Sequence, residues 1–325
     1  MTHERYARFS IAVVAFNLLV IMWGAYVRAT GSGAGCGNNW PLCHGQVIPR
    51  GAGLQTMIEF SHRTTSGLAL LLVVALAVFA FKLYPPAHRV RRGAVATLII
   101  ILVEAALGAG LVLFELVADN ASIARAMFMA THLGNTLLLL GAMTLTAFWA
   151  NGGGGVDFGL KAPRRPIHPL AWATVAFTVL VGMSGAVAAL GHTLYPEETQ
   201  PGFARDHLSA TSRLFVQMPD VHPLIAIAGA CLMLYLVGQV RALKRPETRF
   251  WATALNVLVL VQLAAGSLNM FLHAPIWLQL THLVLADFVW ISLVLTCATA
   301  LPALPATAAA PNPATAPATR PAPAT

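Results

Sequence analysis

Long apolar runs separated by short polar stretches make up most of this 325-residue chain. A helix needs about 20 mostly apolar residues to cross a bilayer, and backbone groups in lipid must be satisfied within the segment. Eight runs are long enough, so the pattern predicts an all-α integral membrane protein with eight transmembrane helices. The runs are residues 9–28, 59–82, 93–114, 126–149, 168–190, 221–241, 251–271 and 277–300.

Basic residues concentrate in the polar stretches that follow the second, fourth and sixth runs, which contain KLYPPAHRVRRG, KAPRRPIHP and RALKRPETRF. The stretches after the third and fifth runs are acidic or mixed. Short cytoplasmic loops carry an excess of Lys and Arg, so we expect a multi-pass protein of the cell (inner) membrane with both termini cytoplasmic. The first run exceeds the roughly 7–15 apolar residues of a signal peptide, and we expect it to be retained.

Composition agrees with a membrane protein, since 57% of the residues are hydrophobic and only 10% are charged, against about 25% in soluble proteins. The net charge of +8 is located in the loops described above. It therefore reflects topology, and we expect the lipid bilayer and no nucleic acid as a partner.

The two halves of the chain resemble each other. THLGNTLLLL begins at Thr131 in the fourth run, and THLVLADFVW begins at Thr281 in the eighth. We therefore predict two pseudo-symmetric four-helix bundles related by an axis along the membrane normal. The predicted parts are an N-terminal half (1–150), a cytoplasmic linker (151–167), a C-terminal half (168–301) and a disordered Pro/Ala/Thr-rich tail (302–325).

Four of the eleven histidines lie near the start of the even-numbered runs, at similar predicted depth: His62, His132, His222 and His282. Ionisable side chains inside a membrane usually have a function. One such histidine can be a simple hydrogen-bond partner between helices, whereas four that are related by a repeat favour two cofactor sites. Haem suits a pair of facing imidazoles in a helical bundle. Zinc and a non-haem di-iron centre are weaker alternatives.

We predict that His62 pairs with His132, and that His222 pairs with His282. The haem propionates would lie toward the outer surface, where four arginines are available: Arg28, Arg63, Arg125 and Arg213.

The stretch EFSHR distinguishes the two predicted sites. Glu59, His62 and Arg63 share one helix face, because residues three and four apart are neighbours on a helix. The C-terminal stretch PDVHP has Asp220 and Pro223 in a different arrangement. An acid beside only one site indicates a reacting centre in the N-terminal half and an electron-transfer centre in the C-terminal half. The alternative for Glu59 is an ion pair with Arg63 on the helix surface.

Three further features concern polar residues in the first outer loop and inside the apolar runs. Cys36 and Cys43 lie in an outer loop rich in turn formers, and the oxidising compartment favours a disulfide over two free thiols. Glu104 and Asp287 lie inside apolar runs, either as neutral hydrogen-bonded groups or as parts of a proton path. Asn135 is interpreted as a hydrogen-bonding contact between helices.

The chain resembles the haem A synthases over roughly residues 9–300. The resemblance rests on EFSHR in the second run, THLGN in the fourth, His282 in the eighth and the cysteine pair in TGSGAGCGNNWPLCHG. Pro223 departs from the pattern, because many relatives have an arginine after this histidine. Glu104 departs from it as well, since a neutral amide is expected there, as in its counterpart Gln262.

The resemblance implies oxidation of the C8 methyl of haem O to a formyl group by successive hydroxylations, with water as the oxygen source. Substrate haem O would bind at His62 and His132 near Arg63, and a haem b would bind at His222 and His282. Glu59 would act as the acid–base group, and the Cys36–Cys43 loop would cover that site.

The implied partners are a haem O synthase and a membrane electron acceptor, and the chain is a possible homo-oligomer. Two other functions stay open on the residues alone. They are a b-type membrane electron carrier and a haem carrier that does not modify haem.

Overall fold

A computed structural model describes residues 1–157, 167–196 and 208–301. Eight helices in these residues are long and apolar enough to cross a membrane, which confirms the predicted all-helical multi-pass membrane protein. They are α1 (His3–Ala29), α2 (Leu54–Leu83), α3 (Arg89–Leu113), α4 (Ile123–Ala150), α5 (Ile167–Leu194), α6 (Ala210–Ala242), α7 (Pro246–Phe271) and α8 (Ile276–Ala300). Most of the predicted linker, most of the loop after α5, and the predicted tail lie outside the described residues.

Helix α6 begins eleven residues earlier than the apolar run that predicted it, at Ala210 instead of residue 221. The sequence was misleading here because Pro219 and Pro223 lie inside the helix. Proline removes a backbone donor, but membrane helices tolerate it where neighbouring groups compensate. His222 therefore has more helix before it than the apolar run indicated.

A close approach between α5 and α6 accompanies this irregularity. Pro219 cannot donate to the carbonyl of Phe215, four residues earlier. Gly191 of α5 packs directly against that carbonyl, and a side chain at Gly191 would overlap it. The backbone of α5 thus covers the part of α6 where a helical hydrogen bond is missing.

The helices of each half contact one another in a ring. In the N-terminal half α1 packs on α2 and α4, and α3 packs on α2 and α4; α5 to α8 repeat this arrangement. The halves meet where α4 contacts α5 and α8, and where α1 contacts α8. This arrangement supports the division into two four-helix units, whose symmetry, boundaries and orientation in the membrane stay predictions.

Large buried side chains join α4 to α8 between the halves. Leu140 and Leu293 are fully buried there with Trp290. A Cβ at Gly141 would lie 3.3 Å from the indole Nε1 of Trp290, so the small residue allows α4 to approach the ring closely. The two helices that carry His132 and His282 therefore pack on each other between the halves.

Arg28, at the end of α1, forms a second contact between the halves. Its Nη1 donates to the carbonyl of Ala189 and to Thr193 Oγ1, both at 2.7 Å, and its Nη2 donates to Gln279 Oε1 at 2.9 Å. These acceptors belong to α5 and α8. One guanidinium from the N-terminal half is therefore held entirely by the C-terminal half.

Candidate haem sites

Each of the four membrane histidines lies half-buried against a glycine of the preceding helix. The glycine–histidine pairs are Gly24 with His62, Gly108 with His132, Gly185 with His222 and Gly266 with His282. Added Cβ atoms at Gly24, Gly185 and Gly266 would lie 2.9, 3.1 and 3.0 Å from the imidazole Cε1. Gly108 leaves more room, with 3.6 Å to Nε2. The same helix-to-helix relation thus occurs at all four positions, which supports the predicted correspondence between the halves.

These glycines suit a flat cofactor that must approach the helix backbone closely beside an imidazole. We expect Gly185→Ala to push His222 out of place, because overpacking a helix contact typically costs about 1–3 kcal/mol. Haem affinity in the C-terminal half should then fall roughly 5- to 150-fold, measured by titrating haem into the purified protein. Gly238→Ala on α6 is the matched control, since nothing lies within 4 Å of its added Cβ. Equal affinity in both variants would contradict the role of Gly185.

In the N-terminal half, His132 lies beside a carboxylate of α3. Its Nδ1 is 2.8 Å from Glu104 Oε1, and Asn135 Nδ2 donates to Glu104 Oε2 at 2.6 Å. Thr136 Oγ1 donates to the same carboxylate. Asn135 also donates to the carbonyl of Ile100 at 3.1 Å, so it does connect two helices as predicted. His62 has no hydrogen-bond partner at its Nδ1.

The C-terminal histidines have neutral neighbours instead. His222 Nδ1 lies 2.9 Å from Ser184 Oγ of α5. His282 Nε2 lies 3.2 Å from the Gln262 amide of α7, and its Nδ1 has no hydrogen-bond partner. Glu104 and Gln262 thus occupy corresponding positions in the two halves, each beside the histidine of the following helix. Of these two side chains, only Glu104 is a carboxylate.

Glu59 and Arg63 form an ion pair that is buried, not exposed on the helix surface. Arg63 Nη2 lies 2.5 Å from Glu59 Oε1, and Arg63 Nε donates to the same oxygen at 3.0 Å. Glu59 Oε2 accepts from the backbone N–H of Cys36 at 2.8 Å. Arg63 Nη1 donates to the carbonyls of Asn39 and Leu42 at 2.6 and 2.8 Å. Both side chains therefore hold the cysteine loop onto α2.

The cysteine loop itself is closed by a disulfide between Cys36 and Cys43. Gly35 lies so close to α2 that an added Cβ would be 2.5 Å from the Gln55 carbonyl, and its own carbonyl accepts from Thr56 Oγ1 at 2.6 Å. The loop is thus fixed on the first turns of α2, next to Glu59.

The four arginines expected near the propionates differ in their surroundings. Arg28 bridges the halves as described above, and Arg63 is bound to the cysteine loop. Arg125 is buried and donates to the carbonyls of Ala118 and Asn120. Arg213 is exposed on α6.

These residues fit a haem better than a metal ion held by protein alone. In residues 1–157, 167–196 and 208–301 no three His, Cys, Asp or Glu side chains are grouped to hold a metal ion. A two-imidazole site suits a metal that brings its own equatorial ligands, as haem iron does. The Nδ1 atoms of His62, His132 and His282, which have no hydrogen-bond partner, and the four facing glycines agree with this.

Sequence reasoning singled out the histidines but missed their closest neighbours. The glycines of α1, α3, α5 and α7 carry no chemical signal of their own, and only their equivalent positions in the repeat point to them. Glu104 departs from the expected amide in the sequence, but its contact with His132 follows only from the packing of α3 on α4.

The eight helices and the four membrane histidines define a multi-pass membrane protein with candidate cofactor sites. Residues 7–294 match the sequence profile of the family described as "Cytochrome oxidase assembly protein". The chain belongs to this family, which agrees with the resemblance to haem A synthases and confirms it.

Individual relatives carry two different names. A Staphylococcus haemolyticus "Heme A synthase" is 27% identical over 84% of this chain and 88% of its own length. A Staphylococcus carnosus "Heme A synthase" is 28% identical over 86% and 88%. A Thermus thermophilus "Protoheme IX farnesyltransferase" is 43% identical over 92% of this chain, but over only 49% of its own length. This chain thus spans about half the length of that relative.

Proposed function

We propose that the protein is a haem A synthase that oxidises the C8 methyl of haem O to a formyl group. One observation carries this proposal. The chain belongs to a family of cytochrome oxidase assembly proteins, four of its imidazoles lie against glycines, and the buried Glu59 lies on the same helix as His62 and holds the disulfide loop. A site that only holds haem needs the imidazoles and no acid.

The overall chemistry is a four-electron oxidation. One methyl group and one water give a formyl group, four protons and four electrons, passing through a hydroxymethyl group after the first two electrons have left. In this proposal His62 and His132 hold the substrate haem O, and Arg63 lies near it. Glu59, which lies one helical turn from His62, takes up protons that leave the methyl carbon.

His222 and His282 would hold a haem b, whose iron supplies one-electron transfer toward an electron acceptor in the membrane. The neutral contacts of these two residues, to Ser184 and Gln262, support a site that holds a cofactor without chemical change. The disulfide loop, bound to Glu59 and Arg63, would close the N-terminal site from the outer side and exclude water that is not part of the reaction.

The names of the relatives support a partner that makes haem O. The match to this chain covers 88% of a "Heme A synthase" chain but only 49% of the Thermus chain. The Thermus chain therefore contains about as much sequence again outside the match. We infer that farnesyl transfer belongs to that other part. For the present protein, the corresponding partner would be a haem O synthase, which produces its substrate.

We also propose that both termini are cytoplasmic, on the basis of the basic loops after α2, α4 and α6. The cysteine loop then lies on the outer side, where a disulfide is stable.

Co-expression tests the proposed activity. A host that makes haem O but no haem A should accumulate haem A when it also expresses this chain, as measured by chromatography of extracted haems. The same host with the haem O synthase alone is the control. Extracts that contain only haem O, from cells in which the chain is folded and haem-loaded, would leave the electron carrier or the haem carrier as the better description.

A further inference from the structure

We propose that Glu104 is a positioning residue that makes the N-terminal haem site the lower-potential site of the two. The inference rests on the proposed haem sites, and it assigns to α3 a role that the oxidation itself does not require. Its basis is the contact between Glu104 and His132, whose atoms and surroundings differ from those of the three other membrane histidines.

The Glu104 carboxylate is held in place on several sides. Asn135 donates to Oε2 at 2.6 Å, Thr136 donates to Oε1, and His132 Nδ1 lies 2.8 Å from Oε1. The side chain is only 17% exposed, so water screens its charge weakly. Because Asn135 and Thr136 lie on the same helix as His132, the carboxylate is fixed relative to the imidazole.

This arrangement selects one form of the imidazole. The Nδ1 of His132 lies 2.8 Å from Glu104 Oε1 without completing a hydrogen bond in this geometry. A carboxylate oxygen can only accept, so its closeness favours the form of the ring that carries its hydrogen on Nδ1. Nε2 is then left with its lone pair, and this atom faces Gly108 at 3.6 Å from the added Cβ position. A carboxylate behind a ligating imidazole fixes the ring and raises its basicity as a ligand.

Among the described residues, the C-terminal histidines have no hydrogen-bonded carboxylate neighbour. Ser184 lies beside His222 and Gln262 beside His282, and both are neutral at every pH. Hydrogen bonds to axial ligands and nearby charge set the reduction potential of a haem iron. A negative charge and a more basic ligand favour the ferric state, so Glu104 lowers the potential on the N-terminal side alone.

The expected consequence is a direction for electron transfer. With the lower potential on the N-terminal side, a haem held by His62 and His132 would give up one electron and be oxidised, and a haem held by His222 and His282 would take it up and be reduced, in a downhill transfer. Electrons from the oxidation of the substrate in the N-terminal half would thus flow to the haem of the C-terminal half and from there to the membrane electron acceptor.

The test is a redox titration of the full chain saturated with haem b in both halves. Each haem should give one redox transition, or wave, in this titration. The wave that disappears in His222→Ala belongs to the C-terminal haem. We expect Glu104→Gln to raise the midpoint potential of the N-terminal wave by at least ~59 mV, which for a one-electron couple is a tenfold change in the redox equilibrium constant. The EPR spectrum of the ferric N-terminal haem should change with it, because the ligand has become less basic. Glu104→Asp, which keeps the charge, should stay near the wild-type value.

Gln262→Leu is the matched control, since it removes the corresponding side chain of the C-terminal half and should leave the N-terminal wave in place. The C-terminal wave also reports folding in every Glu104 variant. An N-terminal wave and EPR spectrum that stay unchanged in Glu104→Gln would overturn the inference. The titration needs no haem O, so a chain that shows the shift but makes no haem A would refute the proposed function and retain the role of Glu104.

Discussion

His222→Ala is expected to remove the b-type haem from the C-terminal half, because the variant loses one of the two imidazoles proposed to hold the iron. Its neighbours cannot replace that ligand, since Ser184 and Gly185 of α5 offer only a hydroxyl and a backbone. The reduced-minus-oxidised absorbance per mole of purified protein should lose the signal of one bis-histidine haem.

Two variants control this result. His88→Ala removes a histidine that caps α3 outside the apolar segments, and it should leave the pigment unchanged. His62→Ala should keep the C-terminal haem but abolish haem A formation in the co-expressing host. If the b-type haem instead survives His222→Ala and disappears in His62→Ala, the assignment of the two halves is reversed.

Glu59→Gln is expected to reduce haem A formation by about 10²- to 10⁴-fold, the usual contribution of an acid–base group. The amide keeps the size of the side chain and an oxygen that can accept from the Cys36 N–H, so the loop should stay attached to α2. The rate of haem A formation and the b-type spectrum should be measured on the same preparation, and the spectrum should not change.

Glu4→Gln is the matched control, because Glu4 and Arg8 form an ion pair of the same helical spacing on an exposed surface. Exposed pairs contribute about 0–1 kcal/mol, so this variant should keep its activity. Full activity in Glu59→Gln would show that Glu59 only anchors the loop. Activity lost in Glu59→Gln together with loss of the Cys36–Cys43 disulfide would also point to an anchor.

The helices could be predicted because the bilayer fixes the length and polarity of a spanning segment. The physical rule failed only at the start of α6, where Pro219 and the polar residues before Pro223 interrupt the apolar run but not the helix. The four histidines were visible for a similar reason, since imidazoles are rare in apolar runs. Their positions in the repeat then suggested the pairs.

The surroundings of the histidines could not be predicted, because they depend on contacts between helices. Gly24 lies 38 residues before His62, and nothing in the sequence indicates that the two are adjacent. The ion pair of Glu59 and Arg63 was foreseen as an alternative from its spacing, but its burial under the cysteine loop was not. The loop brings Cys36 and Leu42 to the pair from outside the helix.

The contact made by Arg28 has a consequence for the order in which the chain is made. Arg28 is synthesised 165 residues before Thr193 and 251 residues before Gln279, its partners across the interface. At about 5–20 residues per second, roughly 10–50 s pass between the synthesis of Arg28 and that of these partners. During this interval a nascent α1 must keep its guanidinium at the hydrated surface, and α1 can settle into its final position only when α8 has emerged. The last helix therefore completes the placement of the first.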